Sequence, residues 1–226
     1  LISATLLRRY KRFLADVRWP DGQETTAHVP NSGAMLGVSA PGSRVWLSAA
    51  KPGRKLDHTL HFIETATGWA GVDTMIPNRL VKAALAARAL PGFSDYDRFR
   101  AEVPYGAGSR VDFLLERDGA PPHYLEVKNC HLTRGGGLAE FPDCIAARSA
   151  RHMIELSTMA AAGARCSVLF IVQRTDCDRF SPAADLDPGF AASARAAAEA
   201  GVGFHAMACA MDPAGIALTG SLPVKL

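Results

Sequence analysis

The spacing of apolar and polar residues changes character near residue 70. Before that point the pattern predicts short strands separated by turns. Leu6 to Trp19 carries Leu7, Tyr10, Phe13 and Val17 as apolar positions, and the broken alternation predicts one long strand with a bend or bulge. Pro20-Asp21-Gly22 is a turn, Gln23 to Val29 a second strand, and Pro30-Asn31-Ser32-Gly33 a loop. Arg44 to Ala49 and His58 to Thr65 complete the set. Such a succession within residues 1–70 predicts a small OB-like β-barrel.

Beyond residue 70 helix and strand patterns mix. Pro77 opens an alanine- and leucine-rich helix, Asn78 to Leu90, closed by Pro91-Gly92. Tyr96 to Tyr105 reads as a strand containing Glu102. Phe141-Pro142-Asp143 opens a long helix to about Ala162, with Asp143 favourable in its first turn. On that helix Arg148, Arg151 and Glu155 share one side, opposite Ile145, Met153, Leu156 and Ala160, with His152 at the border. The polar side either faces water or brings Arg148 or Arg151 to a phosphate. Cys166 to Val172 is the apolar run of a strand buried on both faces, and Gln173 follows at its tip. Asp187-Pro188 opens a last helix as N-cap and N1, closed by Gly201, before a strand from Val202 to Ala208. Residues 71–226 thus predict an α/β domain on a central mixed sheet.

The densest chemistry lies between Ser109 and Asn129. Val111, Phe113 and Leu115 alternate with Arg110 and Asp112; after a turn from Asp118 to Pro122, Leu125 and Val127 alternate with Glu126 and Lys128. A hairpin so built presents Asp112, Glu126 and Lys128 on one side of an apolar layer. Two carboxylates beside an ammonium can hold a divalent cation and the water it activates. The same spacing also arises as plain polar alternation on a solvated sheet. The glycines after Thr133-Arg134 make a flexible loop, a lid or a connector.

Composition narrows the function classes. Five scattered cysteines with no Cys-x-x-Cys pair argue against a disulfide framework or structural zinc and fit a reducing cytoplasm. His58 and His61, three apart in a strand, point to opposite faces and do not form a shared metal site. No phosphate-binding Gly-x-x-x-x-Gly-Lys, no Gly-x-Ser-x-Gly, no secretory signal and no membrane-length apolar run occurs. A start at Leu1 leads one to expect a few residues upstream. Net charge is +3, unevenly spread: residues 1–60 hold nine Lys/Arg against four acids, the remainder 16 against 18. A basic barrel beside a near-neutral body suits a polyanion. Arg9, Lys11 and Arg12, interleaved with Tyr10 and Phe13, offer phosphate contacts, with the two aromatics either in the core or stacked on bases.

The order helix, Asp strand, Glu-x-Lys strand, helix, strand resembles the PD-(D/E)xK nuclease core. The whole chain resembles the sugar fermentation stimulation protein A family. The matching stretches are Arg9 to Phe13, Pro30 to Met35, Ser109 to Leu115, Glu126 to Asn129, Phe141 to Asp143 and Val172 to Arg174. Ser32 stands where threonine is expected, Ser149 where glycine is, and Val111 precedes Asp112 where proline is frequent.

The resemblance implies an N-terminal OB-like domain (1–70) and a C-terminal PD-(D/E)xK nuclease-like domain (71–226). It further implies a cytoplasmic protein that binds DNA without sequence preference and is linked to regulation of sugar, chiefly maltose, use. Asp112, Glu126 and Lys128 are the implied nuclease triad. Asp112 and Glu126, with the Val127 carbonyl, would hold Mg²⁺ or Mn²⁺; Glu102 and Gln173 would take outer roles. Arg9, Lys11, Arg12, Arg110, Arg148 and Arg151 would meet the phosphate backbone. The expected partner is DNA, not a membrane, with room for a homo-oligomer. Two readings follow: a metal-dependent deoxyribonuclease, or a DNA-binding regulatory module that keeps the fold without cutting. A paired-carboxylate glycosidase has no supporting motif.

Overall fold

The computed structural model describes residues 1–106 and 108–226. Its first half is a barrel of β1 (Ile2–Tyr10), β2 (Leu14–Arg18), β3 (Glu24–His28), β4 (Arg44–Ala49), β5 (His58–Glu64) and β6 (Trp69–Gly71). The sheet runs β3-β2-β1-β4-β5-β6, and a β3–β5 pairing closes five strands into the OB barrel. Leu6, Val17, Val29, Val45, Leu47, Leu60 and Ile63 fill it.

The single strand expected over Leu6 to Trp19 is two, β1 and β2, paired antiparallel. Lys11 (φ 48°) and Arg12 (φ 63°) adopt left-handed backbone and turn the chain where no Gly or Pro advertises it. Phe13 is exposed at that turn, not in the core.

The second half is α1 (Ile76–Ala86), β7 (Arg98–Tyr105), β8 (Ser109–Glu116), β9 (His123–Cys130), β10 (Leu132–Thr133), β11 (Leu138–Phe141), α2 (Ala147–Ala161), β12 (Arg165–Val172), β13 (Arg179–Pro182), α3 (Pro188–Glu199), β14 (Gly203–Asp212) and β15 (Gly215–Leu222). Six strands form a mixed sheet in the order β15-β14-β12-β9-β8-β7, parallel from β9 through β14 and antiparallel outside. The central strand β12 is covered on both faces. Val168, Phe170 and Val172 pack with Met153 and Leu156 of α2 and Phe190 of α3. Leu169 and Ile171 pack with Val81 and Leu85 of α1.

Several expected element bounds shift. Helix α1 stops at Ala86, before Pro91, because Arg88 turns left-handed (φ 51°) and its N–H bonds back to the Leu85 carbonyl. Helix α2 starts at Ala147, so Asp143 lies in the preceding loop rather than in its first turn. Glu155 is buried instead of solvated, and Ile145 is exposed. Asp187 caps α3 as expected, accepting from the Phe190 N–H at 2.9 Å; its other oxygen accepts from the Ala146 N–H at 2.8 Å, so one carboxylate fixes both helix starts. Strands β6, β10, β11, β13 and β15 add to the expected set, being short or polar on one face.

The joint between the halves is polar and tight. Asn31 Nδ2 donates to the Val72 carbonyl, the Gly71 N–H donates to the Gln173 carbonyl, and Ala70 pairs with Arg174 as an isolated bridge. Arg174, 3% exposed, holds Asp176 in a two-bond fork and reaches Thr65 of the barrel. A Cβ on Gly71 would lie 2.6 Å from Gln173 Oε1. Replacing Gly71 with Ala is therefore expected to lower stability by about 1–3 kcal/mol through overpacking, read from urea or thermal unfolding. An unchanged midpoint would show that the joint yields.

Candidate functional site

The β8–β9 ladder is regular from Leu115↔His123 to Phe113↔Leu125 and then opens. The next residue on each strand is a carboxylate, Asp112 and Glu126. In place of a backbone acceptor the Val127 N–H meets the Asp112 side chain, donating to Oδ2 at 2.7 Å. Asn78 of α1 donates from Nδ2 to the other oxygen, Oδ1, at 2.6 Å. The N–H and C=O of one strand residue face the same way. The Val127 carbonyl therefore looks into the opened gap. The opening has an edge-side counterpart: Glu102 (φ 55°) and Asp112 form no ladder pair, although their neighbours do. Past this break Val111 leaves the α1 side that Phe113 and Leu115 share and joins the core on the α2 side.

Glu126 is 3% exposed and stands between α2 and Lys128. Its Oε1 takes two donors, Lys128 Nζ at 2.7 Å and His152 Nδ1 at 2.5 Å. Its Oε2 is buried with no partner among the described residues. Burial alone would raise the Glu126 carboxyl, yet the bond from His152 and the charge of Lys128 outweigh it and hold it below the ordinary range. Asp112 goes the other way. Burial and the charge of Glu126 push it up to about 6, against the bonds from Val127 and Asn78. The pair is set close enough to repel, with one member held ionised.

These groups form the floor of a cleft of about 540 Å³. Arg12, Asn31, Ser32 and Gly33 line it from the barrel, and Arg148, Ser149 and His152 from α2. Asp143 closes the end. It accepts from the Met35 N–H at 2.6 Å and faces His131 Nε2 at 3.3 Å. Burial opposes its ionisation, but the neighbouring His131 imidazole and the Met35 N–H prevail and lower it to about 2. Gly33 touches this carboxylate so closely that a Cβ would lie 2.9 Å from Oδ1.

The other expected site residues distribute unevenly. Glu102 lines the cleft, with its carbonyl accepting from Arg110 Nη1 at 3.1 Å. Gln173 is fully buried at the domain joint, donating to Asn129 Oδ1 and the Asp73 carbonyl, one residue removed from the cleft wall that Asn129 lines. Arg9 is occupied: its guanidinium donates to the carbonyls of Arg12, Asn31, Gly33 and Ala34 and so moulds the barrel loop. Lys11 is exposed, and Arg12 donates to the Ser32 carbonyl at the cleft rim. Arg148 lines the cleft, with Nε 3.5 Å from His152 Nε2; Arg151 is exposed outside the lining. The glycine loop after Arg134 is a connector, tied down by Arg134 on Glu140 and Asp185.

Sequence reading missed Asn78, His131, Asp143 and Asn31 as site residues and left His152 at a border. The one signal for His152 was its place on α2, three residues before a second inward polar group, Glu155.

Among the described residues no three His, Cys, Asp or Glu side chains converge into a metal cage. A hard cation bound by one or two carboxylates, a carbonyl and waters does not need one. The unpartnered Glu126 Oε2, the repelling Asp112 and the gap-facing Val127 carbonyl fit such an ion.

Family comparisons agree with this layout. The model described as "SfsA N-terminal OB domain" matches residues 7–72, and that described as "Sugar fermentation stimulation protein RE domain" matches 75–215. A sugar fermentation stimulation protein homolog of Rhodospirillum centenum is 52% identical over 223 residues, 98% of this chain and 96% of its own. One from Caulobacter vibrioides is 53% identical over 212 residues, 93% and 89% of the two chains. The solved structure of Pyrococcus furiosus SfsA in complex with Ca²⁺ aligns with TM-score 0.90 at 28% identity, covering 100% of this chain and 96% of that one.

Asp112→Asn separates repulsion from ligation. In EDTA at pH 7.5 the substitution removes a buried charge and is expected to raise the melting temperature by a few degrees. The folded carboxyl, at about 6, sits above its unfolded value near 4, so its penalty is full above pH 6 and vanishes as pH falls toward 4. The gain should shrink over the same window. Mn²⁺ should raise the melting temperature of wild type and not of the variant; equal rises would remove Asp112 from the ligand set.

Proposed function

The chain belongs to the sugar fermentation stimulation protein family, and from that premise we propose that it binds DNA without sequence preference and hydrolyses it with a divalent cation. The observation that carries this reading is the unpartnered, buried Glu126 Oε2 at the floor of a cleft it shares with Asp112 and Lys128. A buried carboxylate oxygen without a donor calls for a partner, and at the floor of a cleft beside a second carboxylate a cation can be that partner. Asp112, Glu126 and the Val127 carbonyl would hold Mg²⁺ or Mn²⁺. The solved relative carries Ca²⁺, an ion of the same hard, oxygen-seeking class. When bound, such an ion lowers the pKa of a water and offsets charge on the scissile phosphate.

The chain's own residues supply the rest. Lys128 uses one of its three N–H donors on Glu126, leaving two for the attacking water or a phosphate oxygen. His152 occupies the same oxygen as Lys128 and thereby leaves Oε2 free for a cation. Asn78 and the Val127 N–H fix the Asp112 carboxylate in one orientation. Arg12 and Arg148 at the rim meet the backbone phosphates. In the reaction water adds to phosphorus, the bond from phosphorus to one sugar oxygen breaks, and that oxygen leaves with a proton.

Charge supports the need for a cation. The lining holds four carboxylates, Glu102, Asp112, Glu126 and Asp143, against three fixed cations, Arg12, Lys128 and Arg148. A phosphate entering this cleft alone meets net repulsion.

A second reading, a regulatory DNA-binding module that no longer cuts, draws on the lack of a preformed three-residue cage among the described residues and on the closed Lys128–Glu126 pair. In either case the protein acts in the cytoplasm and its DNA contact underlies a role in sugar use.

Circular and linear DNA incubated with Mn²⁺, Mg²⁺ or EDTA decides between them. Metal-dependent cutting is expected, with Glu126→Ala and Lys128→Ala each losing at least about 100-fold. Binding that is intact in wild type, with no cutting under any metal, selects the module. Affinity should also fall steeply with salt as phosphate contacts release counterions. Arg12→Ala should weaken binding equally on unrelated sequences, whereas Arg9→Ala should chiefly lower the melting temperature.

A further inference from the structure

We infer that the protein carries a second reactive centre, on the outer face of the barrel, that hydrolyses small carboxylic esters. Ser48 is its nucleophile, His61 the base, and Asp73 the group that orients the base. One line of hydrogen bonds joins the three. Ser48 Oγ lies 2.8 Å from His61 Nε2, and His61 Nδ1 lies 2.9 Å from Asp73 Oδ2. Asp73 accepts on both oxygens, from the Met75 N–H at 2.8 Å and from Arg79 Nη2 at 3.1 Å. It faces Nδ1 as an acceptor too, so Nδ1 carries the ring proton and Nε2 is left to accept from the serine O–H. That is the tautomer and the order of contacts that activates a serine.

An irregularity in the barrel brings the groups together. Strands β4 and β5 pair as Trp46↔Phe62 and then as Leu47↔Leu60, which leaves His61 as the extra residue of a β-bulge. Leu60 and Ile63, on either side of it, fill the barrel, as Val45 and Leu47 do on β4. His61 is thus left outside that core, and alternation along β4 puts Ser48 outside as well. The His61 carbonyl accepts from the Val72 N–H, so the chain leaving β6 passes beside the bulge and delivers Asp73 to the ring. Asp73 is buried while Ser48 is half-buried, which seals the orienting acid and leaves the nucleophile in reach of solvent. None of the three lines the acidic cleft.

His61 also lines an open hollow of about 260 Å³ with Phe62, Ile76, Arg79, Leu80 and Ile216. Its apolar side chains suit a small acyl group, and the exposed Arg79 is a cation for a negative oxygen formed there. In the reaction Ser48 Oγ adds to the ester carbonyl as its proton passes to His61 Nε2. The alcohol leaves with that proton and an acyl-serine remains. Water, deprotonated by the same nitrogen, then releases the carboxylic acid and restores the hydroxyl.

The test gives the full chain, in EDTA, a tagged fluorophosphonate and, separately, para-nitrophenyl acetate. A serine that attacks the phosphonate displaces fluoride and keeps the tag. We expect a single tag, placed on Ser48 by peptide mass spectrometry, and ester turnover above the buffer rate. Ser48→Ala should lose the tag and at least about 100-fold in turnover, with melting temperature and any DNA cutting unchanged. Asp73→Asn and His61→Gln should each slow tagging of Ser48 at least about 100-fold. No tag on Ser48 in folded wild type overturns the inference. Tagging that persists at the wild-type rate in both Asp73→Asn and His61→Gln overturns it as well, since Ser48 is then an ordinary surface hydroxyl. Should those two variants not fold, wild type is compared with its urea-denatured form, and equal tagging of Ser48 in both overturns the inference.

Discussion

The site depends on one exchange of hydrogen-bond partners. Where β8 and β9 would continue their ladder, the Val127 N–H bonds a side-chain carboxylate instead of a backbone carbonyl. A buried strand N–H left without an acceptor is costly, so the strands can part only because Asp112 stands ready to satisfy it. Parting turns the Val127 carbonyl into the gap and aims Asp112 inward, while plain alternation along β9 points Glu126 at α2. The Asn78 contact is built on that fork.

The fork concentrates charge that the fold must then manage. Glu126 stays ionised because an ammonium and an imidazole share one of its oxygens, and its presence drives Asp112 toward the neutral form. Two buried carboxylates with opposite shifts form a strained pair, relieved by any positive charge placed between them. The surrounding polar joint, with the Arg174–Asp176 fork and Asn31, keeps the walls fixed around that strain. Stability elsewhere, in the apolar layers on both faces of β12, carries the cost.

Much of this was legible before the structure. The apolar run of β12 declared itself a central strand, and both Asp112 and Glu126 line one cleft, though the period-two reading of β8 does not carry the break at Asp112 that sends Val111 to the α2 side. The Asp187-Pro188 start of α3 followed from capping chemistry alone. Other features rest on forces that local sequence does not carry. The turn at Lys11-Arg12 uses left-handed backbone on residues that seldom adopt it, stabilised by Arg9 and the loop it grips. Asp143 looked like a helix-start acid, yet its partners, Met35 and His131, are distant in the chain. Gln173 pointed toward the site from the strand end, but the arrival of β6 turned that end into a domain joint. Arg9 read as a phosphate ligand because its four carbonyl partners come from a loop whose shape the residue itself creates.

The joint has a consequence for how the molecule comes into being. The barrel wall of the cleft is encoded before residue 35, the floor near residues 112–128, and the clasp that unites them at Gln173 and Arg174. A ribosome-bound chain thus displays the basic barrel long before the acidic floor is enclosed. A fragment ending before the clasp would hold every residue of the lining but lack the bonds that unite its two halves. Assembly of the slot is a late event of biogenesis, reserved for chains whose two halves have met.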